Sequence, residues 1–287
     1  MKGFNMPDPQ LDNEVSAAYL LDGKGGARKL DAKHLETWRH EKGVLWTHLN
    51  YTNSQDQQWL RVSSKLDDLV VEALLAEETR PRTTAVGDGL LIALRGVNLI
   101  PGADPDDMVA IRIWIDKERI VTTRKRDLLS ITDLVEKLYS GRGPTNSADF
   151  LVELVDRLVW RMSDTVEQFE DRVADLEERV LESNSSSMRY ELATLRRQAI
   201  TLRRYLAPQR DALARLLTEK VDWLDGGNRL QLREVSDRLI RHIEDLDAVR
   251  ERAVVTQEEL LSRLSEQINT RMYVLSCLLY TSPSPRD

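Results

Sequence analysis

The sequence predicts an α+β fold: a mixed β-sheet covered by helices (αβα), followed by a long antiparallel helical hairpin and a very long stalk helix. Three observations lead to this prediction. Strand-like apolar runs interleave with helical ones up to about residue 125, and amphipathic helical patterns follow residue 145. The third is that residues 229–276 contain neither Gly nor Pro.

The composition is typical of a folded, helix-rich chain. Of the 287 residues, 41% are hydrophobic and 31% are charged, and the formal net charge is −7. This acidic balance argues against nonspecific nucleic-acid binding through a basic surface. The sequence as given contains no apolar run long enough for a membrane span and no signal peptide. The single cysteine, Cys277, excludes an internal disulfide and a thiolate zinc cluster.

Residues 1–145 form the first predicted unit, an α/β domain. The predicted strands are 17–21, 27–30, 44–49, 90–98, 109–115 and 119–123, and the predicted helices are 54–62 and 66–76. The glycines of 22–26 permit the positive φ of a tight hairpin turn, and 116–118 form a second turn. We expect Trp46, Trp59 and Trp114 to pack in the core of this domain.

Residues 146–227 form the second predicted unit, a helical hairpin. An apolar stripe runs from about residue 148 to 181, and serine-rich residues 183–187 predict a turn that caps the next helix. Pro208 is expected to kink or break that second helix, and the glycines of 225–228 to end it. Arg203, Arg204 and Arg210 are expected to pair with acidic residues of adjoining helices.

Residues 228–276 form the third predicted unit, a stalk helix about 70 Å long at 1.5 Å per residue. A helix of that length cannot be buried within one small domain, so it must pack against copies of itself or leave the domain.

The last eleven residues, 277–287, differ abruptly in character. Their letters can be translated from a transposon-type sequencing adapter read in frame, and we expect this tail to be an artefact that plays no part in the fold.

The last turns of the stalk carry the candidate functional residues. Five side chains recur every three or four positions and share one face beside an apolar stripe: Glu258, Ser262, Ser265, Asn269 and Met272. A seam of small polar groups beside an apolar stripe is what a pore-lining helix needs. An ordinary solvated surface helix would show the same periodicity.

Other patterns offer weaker candidates. Residues 22–26 lack the spacing of a phosphate-binding loop and favour a hairpin turn, and residues 104–107 favour an acidic loop over a cation site. Residues 124–126 favour a solvated strand end over an anion site. The sequence shows no nucleophile with a base and an orienting group, and no nucleotide-binding fingerprint, so we expect neither an enzyme nor a cofactor.

Long strings of the sequence resemble the ZntB branch of the CorA family of divalent cation transporters. They are AYLLDGKGG at 18–26, WTHLNY at 46–51, ETRPR at 78–82 and RRYLAPQRD at 203–211. The resemblance runs in order from about residue 15 to 276, where RMYVLS at 271–276 resembles the start of the family's first membrane helix. The family's Gly-Met-Asn or Gly-Val-Asn loop and its second membrane helix do not occur in the sequence as given.

The resemblance implies a homopentameric funnel in the bacterial inner membrane, with this portion in the cytoplasm. Asn269 and Met272 would then lie near the cytoplasmic mouth of the pore, and Glu258, Ser262 and Ser265 would line the funnel below. The partners implied are divalent cations, further copies of the chain and, through the missing helices, the membrane. Cations that pass hydrated need no cysteine or histidine ligands.

Three functions stay open at this point. The first is zinc transport, for which the resemblance implies proton coupling; the second is a CorA-like magnesium or cobalt channel; the third is a soluble helical scaffold. The sequence does not decide between zinc and magnesium, nor does it give the direction of transport, the coupling or any regulatory metal site.

Overall fold

The computed structural model describes residues 17–31, 38, 43–100, 102–104, 106–182 and 186–281. The strands among them are β1 (Ala17–Leu21), β2 (Ala27–Leu30), β3 (Leu45–Asn50), β4 (Arg82–Val86), β5 (Gly89–Val97), β6 (Met108–Ile115) and β7 (Arg119–Arg124). They form one seven-stranded sheet in the order β2-β1-β3-β7-β6-β5-β4. Strands β3 and β7 are parallel, and the other neighbours are antiparallel. The predicted mixed sheet is confirmed.

Helices cover both faces of this sheet. On one face lie α1 (Ser54–Gln58), the π-helical turn Trp59–Ser63 and α2 (Asp68–Leu75). The π-helical turn and α2 share an apolar cluster with Leu91 and Trp114. On the other face α3 (Leu129–Tyr139) and the first turns of a long helix bury the larger cluster. This is the predicted αβα arrangement, although β4 and α3 were not predicted.

The first hairpin turn is built as the sequence predicts. Gly23 and Gly25 adopt φ of 73° and 97°, which favours glycine. Oδ1 of Asp22 accepts hydrogen bonds from the backbone N–H of Lys24 (2.7 Å) and of Gly26 (2.9 Å). The carboxylate therefore satisfies donors inside its own turn, as in an Asx turn.

The tryptophans behave largely as predicted. Trp46 is fully buried, and its Nε1 donates to Oγ1 of Thr122 at 2.9 Å. Trp114 is buried, whereas Trp59 is only partly buried against the cluster under α2.

Three long helices follow the sheet: α4 (Ser147–Glu182), α5 (Ser186–Thr218) and α6 (Gly226–Thr281). Helix α6 packs along both α4 and α5, which touch each other much less. Residues 183–185 of the predicted serine turn lie outside the described residues.

The expected break at Pro208 does not occur, because α5 continues through it. The loss of one backbone donor is offset by packing on either side of the proline. Leu206 and Gln209 are buried, and Oε1 of Gln209 accepts the backbone N–H of Arg95 at 2.7 Å. Side-chain contacts with the sheet thus hold the helix just beyond Pro208.

The bounds of the stalk also differ from those predicted. Helix α6 begins at Gly226 because Oδ1 of Asp225 accepts the N–H of Asn228 at 2.8 Å, which is an N-cap contact. It ends at Thr281, inside the adapter-like tail that begins at Cys277. Residues 282–287 are not described, and the adapter origin of 277–287 stays a prediction.

The expected pairing of the three arginines is correct for one of them. Arg203 pairs with Asp247 of α6, with Nε 2.7 Å from Oδ1. Arg210 instead pairs with Asp211 of its own helix at 2.7 Å. Arg204 makes no ion pair with the described residues, and its guanidinium lies 6.0 Å from the ring centre of Tyr205. It points outward because it lies opposite the buried side of α5.

The buried His48 predicts a pH-dependent stability of the α/β domain. Burial, with Arg124 beside it, lowers the pKa of His48 to about 3. In the unfolded chain the imidazole of His48 becomes protonated near pH 6.5, whereas in the folded chain it stays neutral down to about pH 3. The free energy of unfolding therefore decreases as the pH falls from 6.5 towards 3. Wild-type protein should lose about 1.4 kcal/mol of unfolding free energy per pH unit more than His48→Gln in this window. Urea unfolding at several pH values measures both slopes, and equal slopes would contradict this.

Candidate functional site

The candidate site is the C-terminal part of α6, and its upstream part is a packed helix. One stripe is buried against α4 and α5: Leu232, Val235, Leu239, Leu246, Val249, Ala253 and Leu260. Leu264 is partly buried against the same core, whereas Ile268, one turn later on the same stripe, is 60% exposed. The packing partner therefore ends between Leu264 and Ile268.

Arg263 marks the point where α6 leaves its partners. Its Nη1 donates to the backbone carbonyl of Leu181 at 3.1 Å, in the last turn of α4, and its Nη2 lies 2.9 Å from Glu259. A cation at the C-terminus of a helix satisfies a free carbonyl and complements the helix dipole. Residues 265–281 extend about 25 Å beyond this contact at 1.5 Å per residue.

Ion pairs hold the upstream part of α6 in register. They are Arg238–Asp156 at 2.9 Å, Arg252–Glu177 at 2.6 Å and Arg203–Asp247 at 2.7 Å. The hydrogen bonds from Arg252 lower the pKa of Glu177. Partial burial raises the pKa of Glu170, and the negative charge of the nearby Asp245 raises it further.

The five residues predicted from the sequence all lie in this part of α6, and all are exposed. At 100° per residue they fall within an arc of about 80°. They extend along about 21 Å of the helix, from Glu258 to Met272. The structure thus brings them onto one open face, and their role in a pore stays a prediction.

Sequence reasoning missed three further carboxylates on this face. Asp237, Glu244 and Glu251 precede Glu258 at seven-residue steps, and all are exposed. The seven-residue spacing was the signal that could have found them. We call these four residues, Asp237, Glu244, Glu251 and Glu258, the acidic stripe.

The surface of α6 changes from polar to apolar near its end. Large exposed apolar side chains lie on all sides of the helix there: Met272, Tyr273, Val274, Leu275, Leu278 and Tyr280. A helix that is apolar all round normally lies in contact with other apolar groups. Among the described residues, no helix is both long and apolar enough to cross a bilayer.

The weaker candidates have structural roles. Asp107 pairs with Arg126 at 2.5 Å, and this contact lowers the pKa of the carboxyl to about 2. Arg124 pairs with Asp127 at 2.9 Å. These contacts fit an acidic loop and a strand end. Within the described ranges, no group of His, Cys, Asp and Glu is arranged to hold a metal ion.

The fold and its projecting helix define a class of protein in which an α/β domain and a helical hairpin carry one long helix outward. A family model described as "CorA-like Mg2+ transporter protein" matches residues 41–280. The zinc transport protein ZntB of Yersinia enterocolitica is 40% identical over 261 residues, which cover 91% of this chain and 79% of that protein.

Solved structures agree with this match. The full-length CmaX protein superposes with a TM-score of 0.86 at 34% identity and covers 93% of this chain and 83% of its own. The ZntB cytoplasmic domain from Vibrio parahaemolyticus superposes with a TM-score of 0.76 at 22% identity. The match covers 87% of this chain and 98% of that domain, and shows that the two have the same fold. The chain belongs to the CorA family.

A matched pair of substitutions tests where the packing of α6 ends. Leu260→Ala removes a fully buried side chain and should lower the free energy of unfolding by about 2–5 kcal/mol. Ile268→Ala, two turns further along, should change it by less than about 0.5 kcal/mol. Urea unfolding at a dilution where the chain is monomeric measures both, and equal losses would contradict the end point placed at Leu264.

Proposed function

We propose that this chain is the cytoplasmic part of a homopentameric transporter that moves zinc across the bacterial inner membrane. The observation that carries the proposal is the exposed, polar face of α6 beyond Arg263, in a chain 40% identical to a zinc transport protein over most of its length. The relatives are named as transport proteins, so the proposal is a transporter without an enzyme activity or cofactor.

The acidic stripe suits the entrance of a cation path. In a ring of five copies, each carboxylate position would become a ring of five carboxylates facing the axis. Such rings raise the local cation concentration and the rate of entry, most strongly at low ionic strength. Because these carboxylates are exposed, they would attract cations that keep their water.

The next turns suit passage and gating. Ser262, Ser265 and Asn269 present small polar groups that would orient the water around a hydrated ion. Met272, which is 59% exposed in one chain, would form an apolar ring that gates the path by dewetting. The apolar surface that follows would place this ring at the membrane boundary.

Magnesium or cobalt is the second candidate ion. The matching family model is described as a Mg2+ transporter, and magnesium also binds through oxygen ligands and retains its water. The polar face of α6 serves either ion.

Ion uptake tests the proposal and separates the two ions. The product of the uninterrupted gene, reconstituted in vesicles, should take up zinc in preference to magnesium and cobalt. Preference for magnesium or cobalt would replace the zinc proposal with the second candidate. A gene product that carries no divalent cation, or a gene without apolar helices after codon 276, would contradict transport and favour the scaffold.

Neutralising the acidic stripe refines this test. Replacement of Glu244, Glu251 and Glu258 by Gln should slow uptake several-fold at low salt, and the defect should shrink as salt rises. Glu72→Gln, on the exposed side of α2, is the control and should leave uptake unchanged. Equal uptake by the triple variant and the control at low salt would exclude a role for the stripe.

A further inference from the structure

The helices of the hairpin differ sharply in charge. Helix α4 carries eleven acidic and four basic residues, a net charge of −7, whereas α5 carries seven basic and two acidic residues, a net charge of +5. Some of these charges pair within the chain, such as Glu177 with Arg252 and Arg203 with Asp247. The surplus lies on the outward faces.

The outward face of each helix carries a stripe of one sign. On α4, Glu167 and Asp171 are exposed opposite the buried Phe169. On α5, Arg197 and Arg204 are exposed opposite the buried Ala199. These four side chains make no ion pair with any described residue, although Arg197 contacts Thr194.

We propose that the acidic face of α4 in one copy of this chain docks against the basic face of α5 in the next copy. The inference rests on the proposed ring and names the surfaces that close it. With α6 turned towards the axis, the outward faces of α4 and α5 point to opposite flanks, one to each neighbour. Two different patches that complement each other give a head-to-tail contact, the kind that closes a ring.

The positions of the charges along the helix axis, here called their heights, agree with this docking. Within one chain, Arg172 bonds Gln198 at 3.1 Å and Arg179 bonds Glu191 at 2.9 Å, which sets the antiparallel register of α4 and α5. A rotation about an axis parallel to the helices leaves every height unchanged, so the same register applies between neighbours.

In that register each arginine meets a carboxylate. Asp171 lies within about 3 Å of the height of Arg197, and Glu167 lies within about 1.5 Å of the height of Arg204, at 1.5 Å per residue. Long arginine side chains cover such offsets easily. Each interface would therefore contain at least two pairs of opposite charge, repeated around the ring.

Charge reversal tests the docking in the 287-residue chain. Glu167→Lys with Asp171→Lys, or Arg197→Glu with Arg204→Glu, should weaken self-association in sedimentation equilibrium about tenfold, because like charges then face each other. All four changes in one chain should restore association, since both faces are reversed.

Matched controls distinguish an effect of the interface on self-association from an effect of net charge. Glu72→Lys with Asp88→Lys, and Arg28→Glu with Lys29→Glu, change the net charge equally on exposed parts of the α/β domain and should leave association unchanged. Circular dichroism checks that every variant is folded. A monomeric wild type, unaffected double variants or an unrestored quadruple variant would each overturn the proposal.

Cross-linking tests the head-to-tail geometry. In a Cys277→Ser background, a chain with Asp171→Cys should cross-link to a second chain with Arg197→Cys, while neither should cross-link to itself. Self-cross-linking, or no cross-linking in the mixture, would overturn the docking. Zinc uptake by reconstituted vesicles together with a failed cross-link would reject the interface and leave the transport proposal standing. A successful cross-link without zinc uptake would reject transport and leave the interface standing.

Discussion

The burial of one apolar stripe of α6 between α4 and α5 is the interaction on which the rest of the structure depends. It holds α6 against α4 and α5 as far as Leu260, and the ion pairs of Arg238 and Arg252 set its register. Because α6 is longer than the groove that receives it, its last turns leave the bundle. The feature that is proposed to form an ion path is therefore a direct consequence of unequal helix lengths.

The sheet anchors the three long helices through its contacts with α5 near Pro208. Gln209 bonds Arg95 of β5, and Oγ1 of Thr83 in β4 bonds the carbonyl of Ala212 at 2.9 Å. These contacts tie α5 to the sheet just beyond Pro208. The α/β domain and the three helices thus share one connected core, and the end of α6 projects from it.

The sequence predicted most elements because their apolar periodicity is strong. Strand β4 escaped prediction because it is an edge strand in which only Thr83 is buried, so it shows no apolar alternation. The end of packing on α6 was also not predictable. Leu260 and Ile268 belong to the same periodic stripe, and periodicity does not reveal where a partner helix stops.

The candidate face of α6 was predicted only in part, for a related reason. The five residues near the end stood out because they are small or polar beside an apolar stripe. Asp237, Glu244 and Glu251 lie among many other charged residues, and only the structure distinguishes those that pair with α4 or α5 from those that face outward. Charges that pair across helices and charges that face outward have the same appearance in a sequence.

Distances between spin labels at position 269 test most directly whether α6 is one stave of a five-fold ring. Asn269→Cys in a Cys277→Ser background, labelled and measured by double electron–electron resonance on the assembled chain, should give two distances in the ratio of the side to the diagonal of a regular pentagon. A single distance, or no dipolar coupling in the assembled state, would contradict the ring.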